Sequence, residues 1–408
     1  MFAVALVGAL SAPKPVILVA DVGIDDAGGL LWAAASDALD VLGVVSSFGC
    51  HPDPVVTARN AELLLEAAGR SDIPVYIGAD VDFRDKPSRW PPWKSTMGRR
   101  RGQPLQRDGR HVHGADGFGG VFAANATQCA AAKRESGAEF IAATARARPG
   151  EVTILCFSAL TNVALAATLE PALPSLLKEL VVMGGSIYGP GNMSPLAEAN
   201  FGMDAAAARF VLDAFAPADA DATPKVVLAP LDVTHAALLT QAEMDAAGKT
   251  SRAAALLSKA WTQYANFYCA AAGMCDGTPM HDAHTVAYAI EPSMYTNVTT
   301  LAVQVAAQHA RDCRCCLSLL TSRRFPLTAG ARHSARAAVA RHVPRRSPLP
   351  AAAQLRRQGG APIRANRAAG SRPSRHRRSE VQRGVRRAHG ALAVGVIRRQ
   401  GTVRCPRV

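Results

Sequence analysis

Val16-Ile17-Leu18-Val19-Ala20-Asp21-Val22-Gly23-Ile24-Asp25-Asp26 decides the fold. Its first five residues are apolar and largely β-branched, with no alternation, which is the pattern of a strand buried on both faces. An Asp-rich turn follows, and Ala27 to Ala35 then carries apolar residues at helical spacing. Outward from this unit, similar short apolar runs recur at Val41 to Val45, Ile73 to Ile77, Val152 to Cys156, Leu180 to Met183 and Val226 to Leu228. Ala- and Leu-rich stretches at helical spacing separate them, at Thr57 to Ala68, Phe140 to Ala147 and Ala205 to Ala216. Strands alternating with helices predict an α/β fold, an open and mostly parallel sheet with helices on both faces in a Rossmann-like three-layer arrangement. Ligands of such sheets collect beyond the carboxyl ends of the strands. The polar clusters fall there: Asp21 to Asp26, Phe157 to Asn162, Gly184 to Asn200 and Leu231 to His235.

The net charge of +14 would fit a nucleic-acid binder, but it is local. Residues 311–408 hold 24 Arg, no Lys and only Asp312 and Glu380 as acids, a net +22 that leaves −8 for the rest. An acidic body thus precedes an Arg-rich segment of low complexity, expected to be disordered. Nucleic acid would be met only through that tail. The nine cysteines show no zinc-ligand spacing, and Cys313, Cys315 and Cys316 lie in the tail. No run of about 18 apolar residues occurs, so no membrane span is expected. Phe2 to Ala12 faintly resembles a leader without a basic start, which leaves localisation open, the cytoplasm being favoured over secretion. Asn125-Ala126-Thr127 and Asn297-Val298-Thr299 fit glycosylation acceptors, a triplet frequent by chance. The Pro-, Arg- and Trp-rich Arg84 to Arg110 reads as a loop or insertion.

Three carboxylates within six residues, Asp21, Asp25 and Asp26, repel one another unless something neutralises them. Hard oxygen ligands packed this closely suit Ca²⁺ or Mg²⁺ rather than a soft metal. A single Asp here would be as well explained as a helix cap. Three together point to a cation.

Four motifs in order then carry a resemblance. The Asp turn is followed by Met183-Gly184-Gly185 with Asn192 and Glu198-Ala199-Asn200, then by Leu231-Asp232-Val233-Thr234-His235, and then by His281-Asp282 ahead of an apolar stretch. Over roughly residues 15 to 300 the chain resembles the inosine-uridine-preferring nucleoside hydrolases. The resemblance implies one Ca²⁺ held by Asp21, Asp26, Asp282 and the backbone carbonyl of Phe157, with a ribose diol and a water completing the shell. It further implies that Asp21 is the general base for that water, that Asp25 and Asn200 bind ring hydroxyls, and that Glu198 and Asn192 hold the 5′-hydroxyl. Carboxylates and amides around the sugar also suit an oxocarbenium-like transition state. His281 is the expected proton donor to the departing base. His113 sits on a segment resembling the family's mobile loop over the sugar. Asn192 has a second, less favoured reading as a turn residue, Asp232 and His235 read as scaffold, and Thr161-Asn162 as a helix cap in preference to a ligand contact.

The expected activity is hydrolysis of the N-glycosidic bond of purine or pyrimidine ribonucleosides to ribose and free base. The partner is then a small-molecule nucleoside, not a membrane, and a homo-oligomer is compatible with this. The competing expectation is a catalytically impaired member acting as a scaffold, or as an anion- or RNA-binding protein through the tail. Val19 and Val22 stand where the family usually has Asp and Pro. Cys50 stands where many members have an Asn that helps hold the sugar and the metal's water. The catalytic domain is expected over 13–307 and the basic segment over 308–408. Because family members continue with further strands, the abrupt turn to Arg raises the hypothesis of a shifted reading frame, which a transcript spanning codons 300 to 320 would check.

Overall fold

The strand at Lys14–Ala20 (β1) runs through the middle of the sheet because five consecutive residues, Val16 to Ala20, can be buried completely. Val16, Leu18 and Ala20 face one apolar layer, Ile17 and Val19 the other, as the two-residue period of a strand requires. Truncating a side chain here, Leu18→Ala for instance, would cost about 2–5 kcal/mol. The computed structural model describes residues 12–83, 109–122, 136–217, 222–306, 316–318 and 392–398. The loop expected at Arg84 to Arg110 lies, up to residue 108, outside them, as do Asn125 to Thr127 and nearly all of the Arg-rich tail. All described residues belong to one unit, built from residues 1–321 and 390–408.

After β1 come α1 (Ile24–Ala35), β2 (Leu39–Ser46), α2 (Pro54–Ala67), β3 (Val75–Tyr76), α3 (Arg110–His113), α4 (Gly137–Ala147) and β4 (Thr153–Phe157). Then follow α5 (Thr161–Leu169), α6 (Leu173–Leu176), β5 (Glu179–Met183), α7 (Ala199–Met203), α8 (Ala205–Ala214), β6 (Val226–Ala229) and α9 (Leu231–Thr234). The remaining elements are β7 (Leu238–Leu239), α10 (Gln241–Ala247), α11 (Arg252–Ala272), β8 (Thr278–Pro279), α12 (Ala283–Ile290), β9 (Asn297–Ala306), β10 (Cys316–Ser318) and β11 (Leu392–Arg398). Each expected strand is present, although Ile73 to Ile77 contributes only the two residues of β3.

Local chemistry sets several boundaries. Asp53 caps α2 with Pro54 at its first position, Ser136 and Glu139 form a reciprocal cap on α4, and α11 starts at Ser251 and ends at Gly273 in the left-handed region, φ 68°.

Six strands form the parallel core in the order β3-β2-β1-β4-β5-β6. The order reverses between β1 and β4, the position where such sheets open a crevice at their carboxyl ends. One face is covered by α1, α2, α11 and α12, the other by α4, α5 and α8. Beyond β6 lie β11, parallel to it, then β9 and β10, each antiparallel to its neighbour. The described residues of the segment expected as a disordered tail are therefore two strands that join this sheet. Among the described residues no helix is long and apolar enough to cross a membrane.

Candidate metal and sugar site

Asp21 follows the last residue of β1, and α1 begins three residues later. Asp26 holds this turn closed: its Oδ1 accepts the Asp21 N–H at 3.1 Å and its Oδ2 the Gly23 N–H at 3.0 Å. It thus caps α1 and also belongs to the acidic cluster. The Asp21 carboxylate is fixed from the neighbouring strand, since its Oδ2 accepts the backbone N–H of Cys50 at 2.5 Å. Gly49 is required for that approach, because a Cβ on it would collide with the Asp21 carboxylate. The Cys50 thiol donates to Asp26 Oδ2 at 3.4 Å.

Asp282 arrives from the far end of the fold. It precedes α12, which packs against α1 so closely that a Cβ on Gly29 would lie 3.5 Å from the Asp282 carbonyl carbon. Ligand oxygens of Asp25, Asp26 and Asp282 lie within 4.8 Å of one another, and those of Asp21 and Asp26 with the Cys50 sulfur form a second such group. Calcium–oxygen bonds of about 2.3–2.6 Å let one ion bridge oxygens that far apart. The buried, all-carboxylate part of the set therefore fits a hard divalent cation. The grouping seats Asp25 with Asp26 and Asp282, where the resemblance gave it to the sugar alone. Phe157 ends β4 and pairs with Ala20, which puts it beside the start of the Asp turn.

Burial and mutual repulsion make this cluster costly without a cation. Burial, opposed by the Cys50 hydrogen bonds, raises Asp21 to about 7. Burial, then repulsion from Asp21 and Asp25, pushes Asp26 well above the carboxylate range. Asp282 is driven up likewise, by burial and then by Asp25, Asp26 and Asp21. Among the described residues no Lys or Arg pairs with any of them; Arg70, Arg146, Arg148 and Arg209 pair with acids elsewhere.

The residues expected to meet the sugar are built on the β5–α7 connection. Glu198 caps α7, accepting the N–H groups of Asn200 at 2.8 Å, Phe201 at 3.1 Å and, from across the loop, Gly185 at 2.9 Å. Burial raises its carboxyl while these bonds oppose the rise. Asn200 donates to the Met183 carbonyl at 3.2 Å. Asn192 is exposed and accepts the Ala199 N–H at 2.9 Å, a turn-locking contact at the rim. Asp232 is scaffold, its carboxylate gathering the N–H groups of Ile187, Tyr188 and Gly189 at 2.7, 2.8 and 3.1 Å.

His281 immediately precedes Asp282, and His113 reaches the Asp turn from α3. His281 is buried between two hydroxyls, Thr234 Oγ1 at 2.7 Å from Nδ1 and Tyr268 Oη at 2.7 Å from Nε2. Burial, then His235, His284 and His113, hold it well below the usual histidine range, so its ring is neutral near pH 7. His113 ends α3 and its Nδ1 accepts the Ile24 N–H at 3.1 Å, which fixes the tautomer with the proton on Nε2. Sequence reasoning missed Tyr268 and Thr234. The signal for Tyr268 was its i,i+4 spacing from Tyr264 on α11; both rings are buried, with centroids 4.9 Å apart.

Two other readings change. Thr161 and Asn162 do not cap α5: Thr161 donates to Asp204 at 2.7 Å, while Asn162 accepts from Ala79 N–H at 2.8 Å and donates to the Ser46 carbonyl at 3.0 Å. Both are buried, and Thr161 thus ties α5 to the Asp204 cap of α8 while Asn162 ties it to the ends of β2 and β3. Cys269 and Cys275 form a disulfide that their spacing did not announce.

A parallel α/β sheet with a carboxylate centre at its switch point is a ligand-binding α/β fold, and comparison narrows the class. The family model for inosine-uridine preferring nucleoside hydrolases matches residues 16–345. The chain belongs to that family. A probable uridine nucleosidase of Arabidopsis thaliana is 31% identical over 289 residues, 71% of this chain and 81% of that protein. A pyrimidine-specific ribonucleoside hydrolase of Citrobacter koseri is 31% identical over 288 residues, 70% of this chain and 81% of its own. A solved plant nucleoside hydrolase is similar with a TM-score of 0.62 at 28% identity, over 72% of this chain and 84% of that one.

Proposed function

We propose that this chain hydrolyses the N-glycosidic bond of ribonucleosides to ribose and the free base, with a calcium ion resident among Asp21, Asp25, Asp26 and Asp282. The observation that carries the reading is the convergence of these buried carboxylates from the two ends of the fold, without a basic side chain among them. Calcium, when bound, supplies a fixed positive charge that orients a ribose diol and an attacking water and makes that water more acidic.

The residues then divide the work. Asp21 is the general base: its Oδ2 is held by the Cys50 N–H, and Oδ1 receives the proton as the water oxygen bonds to the anomeric carbon. Asn200 and Glu198, fixed on β5 and α7, and Asn192 at the rim hold the sugar hydroxyls, and their oxygens favour the positive charge that develops on the ring. The C–N bond breaks with its electron pair going to the base, which needs a proton. The Tyr268 Oη–H proton passes to the leaving nitrogen, and the neutral His281 imidazole, 2.7 Å away at Nε2, hydrogen-bonds the phenolate left behind until solvent reprotonates it. His113 closes the site over the Asp turn.

Uridine and cytidine head the substrate panel because the Arabidopsis and Citrobacter relatives bear pyrimidine names; inosine and adenosine follow. A reducing-sugar assay with and without EDTA tests the reading. Ribose release that calcium restores after chelation is expected, and release that persists after complete metal removal would contradict it.

A further inference from the structure

Cys269 and Cys275 are disulfide-bonded, and the bond spans the one exposed turn that separates the two sides of the Tyr268–His281 contact. Tyr268 immediately precedes Cys269 in the last turns of α11. The chain leaves the helix at Gly273, where the Gly273 N–H bonds the Cys269 carbonyl at 3.1 Å and the Met274 N–H the Tyr268 carbonyl at 3.2 Å. After Cys275 the chain enters β8, whose Thr278 and Pro279 pair with Leu239 and Leu238 of β7, and two residues later it reaches His281. Ala270 to Gly273, Cys275 and Asp276 are exposed, whereas Tyr268, Thr278 and His281 are buried. Helix ends fray when few buried contacts hold them. Two backbone hydrogen bonds and one covalent bond hold this one.

We propose that the Cys269–Cys275 disulfide is a positioning element of the active site, which sets the Tyr268 hydroxyl against His281 and makes base departure sensitive to thiol redox state. This rests on the nucleoside hydrolase reading for its kinetic consequence, though not for its structural one. His281 is gripped by Thr234, which leads toward β7, and by Tyr268 on α11. Pairing of β7 with β8 secures the first arm. The disulfide ties the second arm, the end of α11, to the segment that delivers His281. Opening it takes two electrons and two protons from a dithiol reductant, which closes to its own disulfide and leaves two thiols at 269 and 275. Asp21 follows β1, Asp25 and Asp26 lie in α1 and Asp282 is fixed where α12 packs on α1, whereas the bond closes the exposed end of α11. Loss of the bond therefore acts on the proton-donating side and spares the cation.

The test compares the full-length protein, oxidised and after treatment with a dithiol reductant, with Cys275→Ser and with Cys269→Ala/Cys275→Ala. Hydrogen exchange read by mass spectrometry should rise over residues 264–282 on reduction and in both variants, and stay unchanged over residues 16–50. With uridine, kcat should fall about tenfold while KM and the calcium-induced rise in Tm hold, because a displaced proton donor costs the chemical step. A riboside carrying an acidic phenol, which departs without a proton, should lose little. The reductant should have no effect on either variant. Equal exchange over 264–282 in oxidised and reduced protein, or free thiols at both positions in the protein as purified, overturns the proposal. If no form of the protein releases ribose, the exchange measurement still decides the positioning claim, and only the functional reading fails.

Discussion

Asp26 and Asp282 share one buried group of carboxylates although one sits in the first turn after β1 and the other at the start of the last described helix. Burial raises both carboxyls; Asp25, Asp26 and Asp21 push Asp282 up further, and Asp21 and Asp25 do the same to Asp26. The α1–α12 contact that joins them is close: a Cβ at Gly29 would lie in van der Waals contact with the Asp282 backbone, and one at Gly28 would displace the Met280 side chain just before α12. Packing of two helices is thus what assembles the acidic centre, and under the proposed function a bound cation would offset its repulsion.

Stability should depend on pH in opposite ways with and without calcium. Asp21, Asp26 and Asp282 have folded pKa values raised above the ordinary carboxylate value of about 3.9. Without metal their contribution is complete below about pH 4 and is lost as pH rises through about 7, the value for Asp21, and beyond. Calcium binds the deprotonated forms and releases protons. In thermal melts with EDTA, Tm should therefore fall from pH 5 to pH 8, and the calcium-induced rise should be larger at pH 8. A calcium effect that shrinks as pH rises would contradict this.

Asp282→Asn should separate folding from function. The variant keeps the side chain's size and removes one repelling charge, so with EDTA at pH 8 it should melt above the wild type, a gain on the order of 1–3 kcal/mol. Calcium should no longer raise its Tm, and kcat/KM should drop by roughly 10²-fold or more. Thermal melts and titration of bound calcium read the two effects independently.

Tyr268→Phe leaves the buried His281 Nε2 without its 2.7 Å partner, at a cost of about 1–3 kcal/mol in stability. Turnover of uridine should fall by about 10–100-fold in kcat with KM little changed, while calcium binding stays intact. An unaltered kcat would remove Tyr268 from the proton path.

The parallel core was readable because β1, β2, β4, β5 and β6 are apolar runs buried on both faces, a pattern with few alternatives. The acidic turn was readable because Asp21, Asp25 and Asp26 are close in sequence. What stayed hidden depends on packing between distant elements. Thr234 and Tyr268 become partners of His281 only when α9, α11 and the turn before α12 meet; the i,i+4 pair Tyr264/Tyr268 marks a buried face of α11 but not its partner, and Thr234 carries no local mark. Thr161 and Asn162 occupied a position where caps are common, but burial sent their side chains to Asp204 and the β2–β3 ends instead. Asn162→Ala would strip partners from the Ala79 N–H and the Ser46 carbonyl, and is expected to lower stability by about 1–3 kcal/mol with kcat unchanged, as denaturant melts and assays would register.

Cys50→Asn addresses the departure nearest the chemistry. The backbone N–H of residue 50 bonds Asp21 whatever the side chain is, so the Asp21 carboxylate, the proposed general base, stays in place. The thiol itself gives Asp26 only a weak hydrogen bond at 3.4 Å, and burial beside Asp21, Asp26 and Asp25 holds its pKa well above normal, so it remains a neutral thiol. A soft sulfur offers calcium and sugar hydroxyls little, whereas an amide presents both a hard oxygen and two N–H donors. The side chain packs against Gly23, which limits its conformations but leaves the loop backbone unaltered. Cys50→Asn should therefore raise kcat/KM for uridine by about tenfold, mostly through KM, with a larger calcium-induced rise in Tm. A fall in both would mean that the pocket around residue 50 has been reshaped to the thiol, and that Asp26 relies on it.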